Sequence, residues 1–141
     1  MAAAKGVSLS HIARVSNDVK RLANFYEEVL GFERIETPAF DGGEVIWMRL
    51  PNSKTTIHIS QRMEAGPRLE ERSGADPKRL PRGHHVCFSV TNFNEFVRSL
   101  KEKGIEMFEK TQPDGKTKQV FFFDPDGYGL ESVMLVALGS F

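Results

Sequence analysis

Cysteine is almost absent from the chain, since Cys87 is the single thiol among 141 residues. One cysteine excludes an internal disulfide and any metal site built from several thiolates. Cys87 lies in the strand-like run HVCFSV, where we expect a small buried residue rather than a nucleophile. A lone thiol suits a reducing compartment, so we expect a cytoplasmic protein.

Net charge and long apolar runs are missing as well. The 19 basic and 19 acidic side chains cancel, so no global field favours nucleic acid or an anionic membrane as a partner. No apolar run approaches the ~20 residues of a membrane-spanning helix. The opening residues, MAAAKGVSLSH, contain no apolar signal region. The sequence therefore predicts neither a nucleic-acid nor a membrane partner.

The chain contains an internal sequence repeat. The segment HIARVSNDVKRLANFYEEVLGF aligns with HVCFSVTNFNEFVRSLKEKGI, and the histidines that open them, His11 and His85, are 74 positions apart. A repeat of this kind predicts two similar units related by a pseudo-two-fold axis. We expect a single α+β domain over 1–141, made of βαβββ modules at 7–60 and 84–138, whose curved mixed sheets enclose a cleft.

Turn and capping residues set the expected ends of the elements. Ser16 or Asn17 is expected to cap the first helix and Gly31 to end it, while Asn92 caps the second helix and Gly104 ends it. The alternation of apolar residues predicts eight strands, four in each module. They are Val7–Val15, Phe32–Glu36, Val45–Leu50 and Thr55–Ser60, then His85–Val90, Ile105–Glu109, Gln119–Phe123 and Leu130–Leu135.

The stretch VFFFDPDGYGLESVM predicts two strands joined by the tight turn 124–127. The exit strand carries Glu131 on the same face as Gly129 and Val133. A carboxylate in an apolar strand is either a residue that faces solvent or a ligand, and the strand alone leaves both interpretations open.

The repeat supplies a counterpart for Glu131. His58, in TTIHISQ, lies 73 positions earlier, so the modules contribute His11 and His58, then His85 and Glu131. The neighbours on the same faces are small, which leaves room for a metal and a substrate. Three imidazoles and one carboxylate suit Zn²⁺, Ni²⁺, Fe²⁺, Co²⁺ or Mn²⁺. The sequence therefore predicts a divalent metal site at these four positions.

His84 competes with His85 for the inner face of its strand. In the run from Val86 to Val90 bulky residues alternate with small ones, and His85 falls on the face of the small ones. We therefore expect His85 to be the ligand and His84 to point outward, unless a bulge exchanges them.

The connection between the modules, 61–83, is predicted to be a charged loop. Its residues 62–82 contain six basic and four acidic side chains. A loop of this length is either a flexible linker or a functional lid, here a basic lip for an anionic substrate. Arg14, Arg79 and Arg82 are the candidate substrate-binding residues.

The chain resembles the vicinal oxygen chelate superfamily, and within it glyoxalase I and short plant-type glyoxalase-like proteins. The resemblance covers nearly the whole chain and rests on LSHIARVSNDVKRLANFYEEVLGF, GHHVCFSV and FFFDPDGYGLESVM. It implies the glyoxalase/bleomycin-resistance/dioxygenase fold, with a divalent metal held by His11, His58, His85 and Glu131. It also implies a homodimer, because short glyoxalases commonly assemble the site between two subunits.

The implied activity is that of a lyase acting on an oxygen-chelating substrate such as a 2-oxoaldehyde–glutathione adduct, with Glu131 as ligand and base. The chain departs from the glyoxalase I pattern at His58, where that family usually has a second glutamate. A metal-bound imidazole has its lone pair engaged, so the paired bases are lost. An epimerase, a thiol transferase, a dioxygenase and a metal-free binding protein of the same superfamily stay open as alternatives.

Overall fold

The computed structural model describes residues 2–39, 43–63 and 75–134. The chain divides into two compact units, 1–67 and 68–141. No helix within the described ranges is long and apolar enough to cross a membrane. The predicted end of the last strand, Leu135, lies outside the described residues.

The first unit contains one helix and a four-stranded mixed sheet, as predicted. Its elements are β1 His11–Ser16, α1 Val19–Leu30, β2 Glu33–Ile35, β3 Val45–Arg49 and β4 Thr56–Gln61. The strand order is β1-β4-β3-β2, with β1 parallel to β4 and the other neighbours antiparallel. The strand β4 is therefore central, and β1 is an edge strand that presents His11 beside it.

The helix α1 covers one face of this sheet because its apolar residues recur at helical spacing. Leu22 and Tyr26 are fully buried, as are Met48 of β3 and Ile59 of β4. Gly31 ends the helix in the left-handed conformation with φ 78°, which confirms the predicted helix end. This packing leaves the opposite face of β1 and β4 for other side chains.

The beginning of the first unit differs from the prediction in two ways. The helix cap is Asp18, whose Oδ1 accepts a hydrogen bond from Arg21 N at 3.0 Å, so the assignment to Ser16 or Asn17 is wrong. The first strand begins at His11 rather than at Val7. Val7 is 82% exposed, and an apolar residue outside the sheet gains no packing that would extend the strand.

The second unit repeats the arrangement. Its elements are β5 Val86–Ser89, α2 Phe93–Glu102, β6 Met107–Thr111, β7 Lys118–Phe123 and β8 Gly129–Met134. The strand order is β5-β8-β7-β6, with β5 parallel to β8 and the other neighbours antiparallel. Asn92 caps α2 by accepting a hydrogen bond from Glu95 N at 3.2 Å, as predicted. The strand that carries Glu131 is thus central in its sheet.

The turn before β8 forms as predicted. Gly127 N donates to the Asp124 carbonyl at 3.0 Å, and Gly127 has φ 84°, a conformation that glycine adopts without strain. The Asp124 carboxylate accepts hydrogen bonds from the backbone N–H groups of Asp126 at 2.9 Å and Tyr128 at 3.0 Å. These bonds fix where β8 starts and therefore where Glu131 lies along it.

The prediction of a loop for the connecting segment is wrong at the described C-terminal end of that segment. A 3₁₀ helix spans Pro77–Arg82, begins at the cap Asp76 and packs against β6, β7 and β8. Leu80 is buried. The helix forms here because an aspartate cap followed by proline at the first helical position favours a helical turn.

Gly129 permits the close approach of the 3₁₀ helix to β8. A Cβ atom at Gly129 would lie 2.5 Å from the His84 carbonyl oxygen, and also against the Leu80 side chain. Gly129 and Glu131 share one face of β8. The 3₁₀ helix therefore covers part of the face on which Glu131 lies.

Replacing Gly129 by alanine should destabilise the protein, because the new methyl group has no space. We expect the free energy of unfolding to fall by about 1–3 kcal/mol, measured by urea denaturation. Leu80→Ala removes one of the groups that the methyl meets, so the double variant should lose less than the two single losses combined. Unchanged stability of Gly129→Ala would contradict the close approach.

Candidate metal site

Glu131 is a buried carboxylate at the centre of the second sheet. It is 6% exposed, and its register neighbours are Cys87 on β5 and Phe121 on β7. Its Oε1 lies 3.0 Å from Nε2 of His85. Burying a carboxylate costs several kcal/mol unless partners replace the lost water, so the polar neighbours of Glu131 contribute to the stability of the fold.

Hydrogen bonds fix the His85 ring from its other side. Nδ1 of His85 lies 2.9 Å from the Gly83 carbonyl, which can only accept, so Nδ1 carries the proton and donates. Nε2 is the ring nitrogen that faces Glu131, where it can donate to the carboxylate when it carries a proton and bind a metal when it does not. Gly83 directly follows the 3₁₀ helix, so the end of the connecting segment orients the histidine.

The second carboxylate oxygen of Glu131 has different partners. Gln119 on β7 donates from Nε2 to Oε2 at 3.2 Å. Cys87, which pairs with Glu131 in the β5–β8 register, lies beside the same carboxylate. The two oxygens are thus held by different groups, with Oε1 turned towards His85.

The environment of Cys87 differs from the prediction. The residue is exposed rather than buried. Partial burial of the thiol, followed by the negative charge and hydrogen bond of Glu131, raises the pKa of Cys87 to about 12. The thiol therefore stays protonated near neutral pH, and Cys87 is a poor nucleophile.

The first unit holds a stack of three rings. His58 lies between His11 and Trp47, with ring centroids 4.0 Å from each and interplanar angles of 14° and 3°. The register explains the stack, because His58 lies opposite Trp47 on β3 and Ala13 on β1. His11 therefore shares the face of His58, the one opposite α1.

Hydrogen bonds engage one nitrogen of each stacked histidine. Nδ1 of His11 lies 3.2 Å from Ser10 Oγ, and Nε2 of His58 lies 2.9 Å from Thr56 Oγ1. Burial, followed by the proximity of His11, lowers the pKa of His58 below its usual value. The His58 ring is therefore neutral at pH 7, the protonation state that a metal ligand requires.

The donor groups of the second unit fit a divalent metal. Two ligands of one first-row ion have donor atoms about 3.0–3.4 Å apart, because bonds of about 2.1 Å meet at 90–109°. The separation of 3.0 Å between His85 Nε2 and Glu131 Oε1 meets this condition. The contact of His85 with the Gly83 carbonyl is the outer hydrogen bond that metal-bound histidines usually make.

The structure brings the predicted ligands together as two pairs, one in each unit. The first pair is His11 with His58, and the second is His85 with Glu131. Over residues 2–39, 43–63 and 75–134, no group of three or more histidine, cysteine, aspartate or glutamate side chains is placed to hold an ion. The single site with four ligands stays a prediction.

The remaining predicted residues lie in three different settings. His84 is exposed, whereas His85 contacts Glu131. Arg79 and Arg82 are exposed on the 3₁₀ helix. Arg14 pairs with Ile59 in the β1–β4 register, so it lies on the α1 face of the sheet, opposite His11.

Two residues of the site were missed by the sequence analysis. Gln119 contacts Glu131 directly, and Trp47 stacks on His58. Both lie on strands whose existence was predicted, and both face the candidate ligands through strand register. The sequence signal that could have found them is a polar or aromatic residue on the inner face of a strand next to a ligand strand.

Curated proteins with related sequences include enzymes of two kinds. The chain is 29% identical over 126 residues to Glyoxylase I 4 of Arabidopsis thaliana, covering 88% of this chain and 68% of that protein. It is 30% identical over 145 residues to the lactoylglutathione lyase of Schizosaccharomyces pombe, covering 89% and 46%. It is 32% identical over 127 residues to the mitochondrial methylmalonyl-CoA epimerase of Bos taurus, covering 86% and 69%. The chain thus spans less than half of the yeast lyase.

Solved structures share the fold at low sequence identity. TnmS3, an antibiotic binding protein from Streptomyces sp. CB03234, has a TM-score of 0.71 at 15% identity, covering 95% of this chain and 100% of that one. A mutant of the fosfomycin resistance protein FosX from Listeria monocytogenes, complexed with Mn(II) and 1S,2S-dihydroxypropylphosphonic acid, has a TM-score of 0.66 at 16% identity, covering 95% of each chain.

The fold and the sequence lead to the same family. Each unit has the predicted helix and four-stranded mixed sheet. The model of the Glyoxalase/Bleomycin resistance protein/Dioxygenase superfamily matches residues 8–132, which include both candidate pairs. The chain belongs to the glyoxalase/bleomycin resistance protein/dioxygenase superfamily.

Proposed function

We propose that the protein is a metal-dependent lyase or isomerase of the glyoxalase type. Its substrate would be a small molecule with two neighbouring oxygens, such as a 2-oxoaldehyde–glutathione adduct. The observation that carries the proposal is Glu131, buried on β8, 3.0 Å from His85 and hydrogen-bonded by Gln119. The similarity to glyoxalase I and lactoylglutathione lyase, at 29% and 30% identity, supports this class.

The metal ligands in this proposal are His11, His58, His85 and Glu131, two from each unit. Imidazole and carboxylate together suit Zn²⁺, Ni²⁺, Fe²⁺, Co²⁺ or Mn²⁺, and the Mn(II) complex of FosX supports a divalent ion in this fold. When bound, such an ion polarises substrate oxygens and stabilises negative charge on them. Of the four proposed ligands, only Glu131 could bind the metal and still accept a proton from carbon. A carboxylate keeps lone pairs after it binds a metal, whereas the one basic lone pair of a neutral imidazole is then used.

Glu131 acts as the general base, and its surroundings prepare it for that role. Gln119 holds one oxygen of the carboxylate with a hydrogen bond from a neutral amide, so the base is fixed in place by a group that does not titrate. His58 stands where the second glutamate is usual, so in this proposal one carboxylate removes the proton from one carbon and delivers it to the neighbouring carbon. A single base returns the proton to the face of the substrate from which it was taken.

The charged end of the substrate meets the 3₁₀ helix. Arg79 and Arg82 are exposed near its C-terminal end, and this helix packs against β8, which carries Glu131. Guanidinium groups bind carboxylates through paired hydrogen bonds, so these arginines suit an anionic substrate arm such as glutathione. Arg14 is left out because it lies on the opposite face of its sheet.

A second candidate is an epimerase acting beside a thioester carbonyl. The specific support is the 32% identity to the bovine methylmalonyl-CoA epimerase, of which the chain covers 69%. Epimerisation delivers the proton to the opposite face of the carbon, so it needs a second acid or base. His58, whose pKa burial lowers, would supply one only if it did not bind the metal, because a metal-bound imidazole has its lone pair engaged.

Adjacent histidines provide a matched test of the metal site. His85→Ala should lose bound metal, because it removes a ligand whose Nε2 faces Glu131. His84→Ala should retain metal, because that side chain is exposed. Both variants would be loaded with Mn²⁺, desalted and assayed for metal content per chain by elemental analysis. Loss of metal in His84→Ala alone would reverse the assignment.

Glu131→Gln tests the catalytic role while keeping the shape of the side chain. Turnover of the methylglyoxal–glutathione adduct should fall by roughly 10²–10⁴-fold, the usual contribution of a general base. Glu109→Gln is the control, because Glu109 is an exposed glutamate of β6 that faces Lys101. Full activity in Glu131→Gln would refute the role of Glu131 as base.

Assays of the wild-type protein with both substrates distinguish the candidate classes. Turnover of the glutathione adduct supports the lyase, whereas exchange and inversion at the branched carbon of methylmalonyl-CoA supports the epimerase. Metal-independent binding of either compound without turnover would contradict both, and would favour a ligand-binding protein such as TnmS3, an antibiotic binding protein of the same fold.

A further inference from the structure

Gln119 links Glu131 to a second glutamine. Its Nε2 donates to Glu131 Oε2 at 3.2 Å, while Oε1 of the same carboxylate faces His85 at 3.0 Å. In the β7–β8 register Gln119 lies opposite Val133, one step along the same face from Glu131. Diagonal neighbours of this kind are ~7–8 Å apart at the backbone, a distance that a long side chain can bridge.

Gln112 sets the direction of the Gln119 amide. Its Nε2 donates to Gln119 Oε1, and its backbone N–H donates to the Thr117 carbonyl at 2.9 Å, which closes the β6–β7 hairpin. An amide has one donor end and one acceptor end. Because the acceptor end of Gln119 is held by Gln112, the donor end faces the carboxylate.

The reverse orientation of Gln119 would be unfavourable. It would place the amide carbonyl of Gln119 against the negatively charged carboxylate and leave the Gln112 amide group facing another donor. A buried carboxylate with such a neighbour loses the hydrogen bond that offsets its burial. The order Gln112, Gln119, Glu131 is therefore a polarised chain with a single favourable direction.

We propose that Gln119 is a positioning residue for the candidate metal site, and that Gln112 keeps its amide in the working orientation. Gln119 holds Oε2 of Glu131, so Oε1 is the oxygen offered to the metal or to the substrate proton. This inference rests on the proposed function, and it assigns a role to residues outside the predicted ligand set. Glutamine suits the role because its amide does not titrate.

The experiment compares three Gln→Leu variants in Mn²⁺ binding, followed by the electron paramagnetic resonance of the free ion. Gln119→Leu should weaken Mn²⁺ binding by roughly 10–100-fold, the usual effect of removing an outer partner of a metal ligand. Gln112→Leu should weaken it less, because Gln119 stays in place but can turn its amide. Gln61→Leu is the matched control, since the Gln61 amide oxygen accepts from the Glu44 backbone at 3.3 Å.

A second measurement is made without metal. The side-chain NH₂ signals of Gln119 in a ¹⁵N–¹H spectrum, identified by their loss in Gln119→Leu, should shift in Glu131→Gln and in Gln112→Leu. They should not shift in Gln61→Leu. Thermal unfolding of each variant within a few degrees of the parent would show that the effects are local.

The outcomes separate the inference from the function on which it rests. Weaker Mn²⁺ binding in Gln119→Leu, together with the amide shifts, supports the inference. Equal Mn²⁺ affinity in the parent and in Gln119→Leu overturns it and leaves the proposed function standing. A parent that binds no Mn²⁺ contradicts the proposed function, and unshifted amide signals in Glu131→Gln and Gln112→Leu then overturn the inference on its own evidence.

Discussion

The contact between Glu131 and His85 is the interaction on which the second unit depends. A carboxylate on a central strand loses its water and is retained only if its neighbours supply hydrogen bonds. Here one oxygen faces the His85 ring at 3.0 Å and the other accepts from Gln119 at 3.2 Å. The His85 ring is in turn held by the Gly83 carbonyl. Two strands and the 3₁₀ helix thus meet at one acidic group.

The need of a buried polar group for partners also accounts for the contrast between the two candidate pairs. In the second unit the side chains are held by polar contacts between individual atoms, His85 Nε2 with Glu131 Oε1 and Gln119 Nε2 with Glu131 Oε2. In the first unit His58 is held between two ring faces, with Trp47 on one side and His11 on the other, which fixes planes rather than donor atoms. Burial keeps His58 neutral at pH 7. A neutral imidazole, such as that of His58, and a carboxylate held by hydrogen bonds, such as that of Glu131, are each side chains that suit a divalent metal.

Local sequence signals predicted the elements that depend on local physics. The helix end at Gly31, the cap at Asn92 and the turn at Asp124–Gly127 are all present, because each depends on residues within a few positions. The repeat also predicted the two mixed sheets, since hydrophobic alternation repeats from one module to the other.

The failures have equally specific causes. Three neighbouring residues, Ser16 to Asp18, can each cap a helix, and the sequence does not rank them. The 3₁₀ helix was not predicted because it lies in a charged segment that is typical of a loop, although Asp76 and Pro77 signal its start. Gln119 was missed because its role depends on which strand residue faces Glu131, and register is a property of the folded sheet. Cys87 is exposed rather than buried because it lies on the site face of an edge strand.

The most direct test of the account is X-ray absorption spectroscopy on protein loaded with one equivalent of Zn²⁺. The account predicts a shell of nitrogen and oxygen at about 2.0–2.2 Å with the outer scattering of imidazole rings. A sulfur shell at about 2.3 Å would place the ion on Cys87, and an oxygen shell without imidazole would place it away from the histidines. Either result would contradict a metal site built on His85 and Glu131.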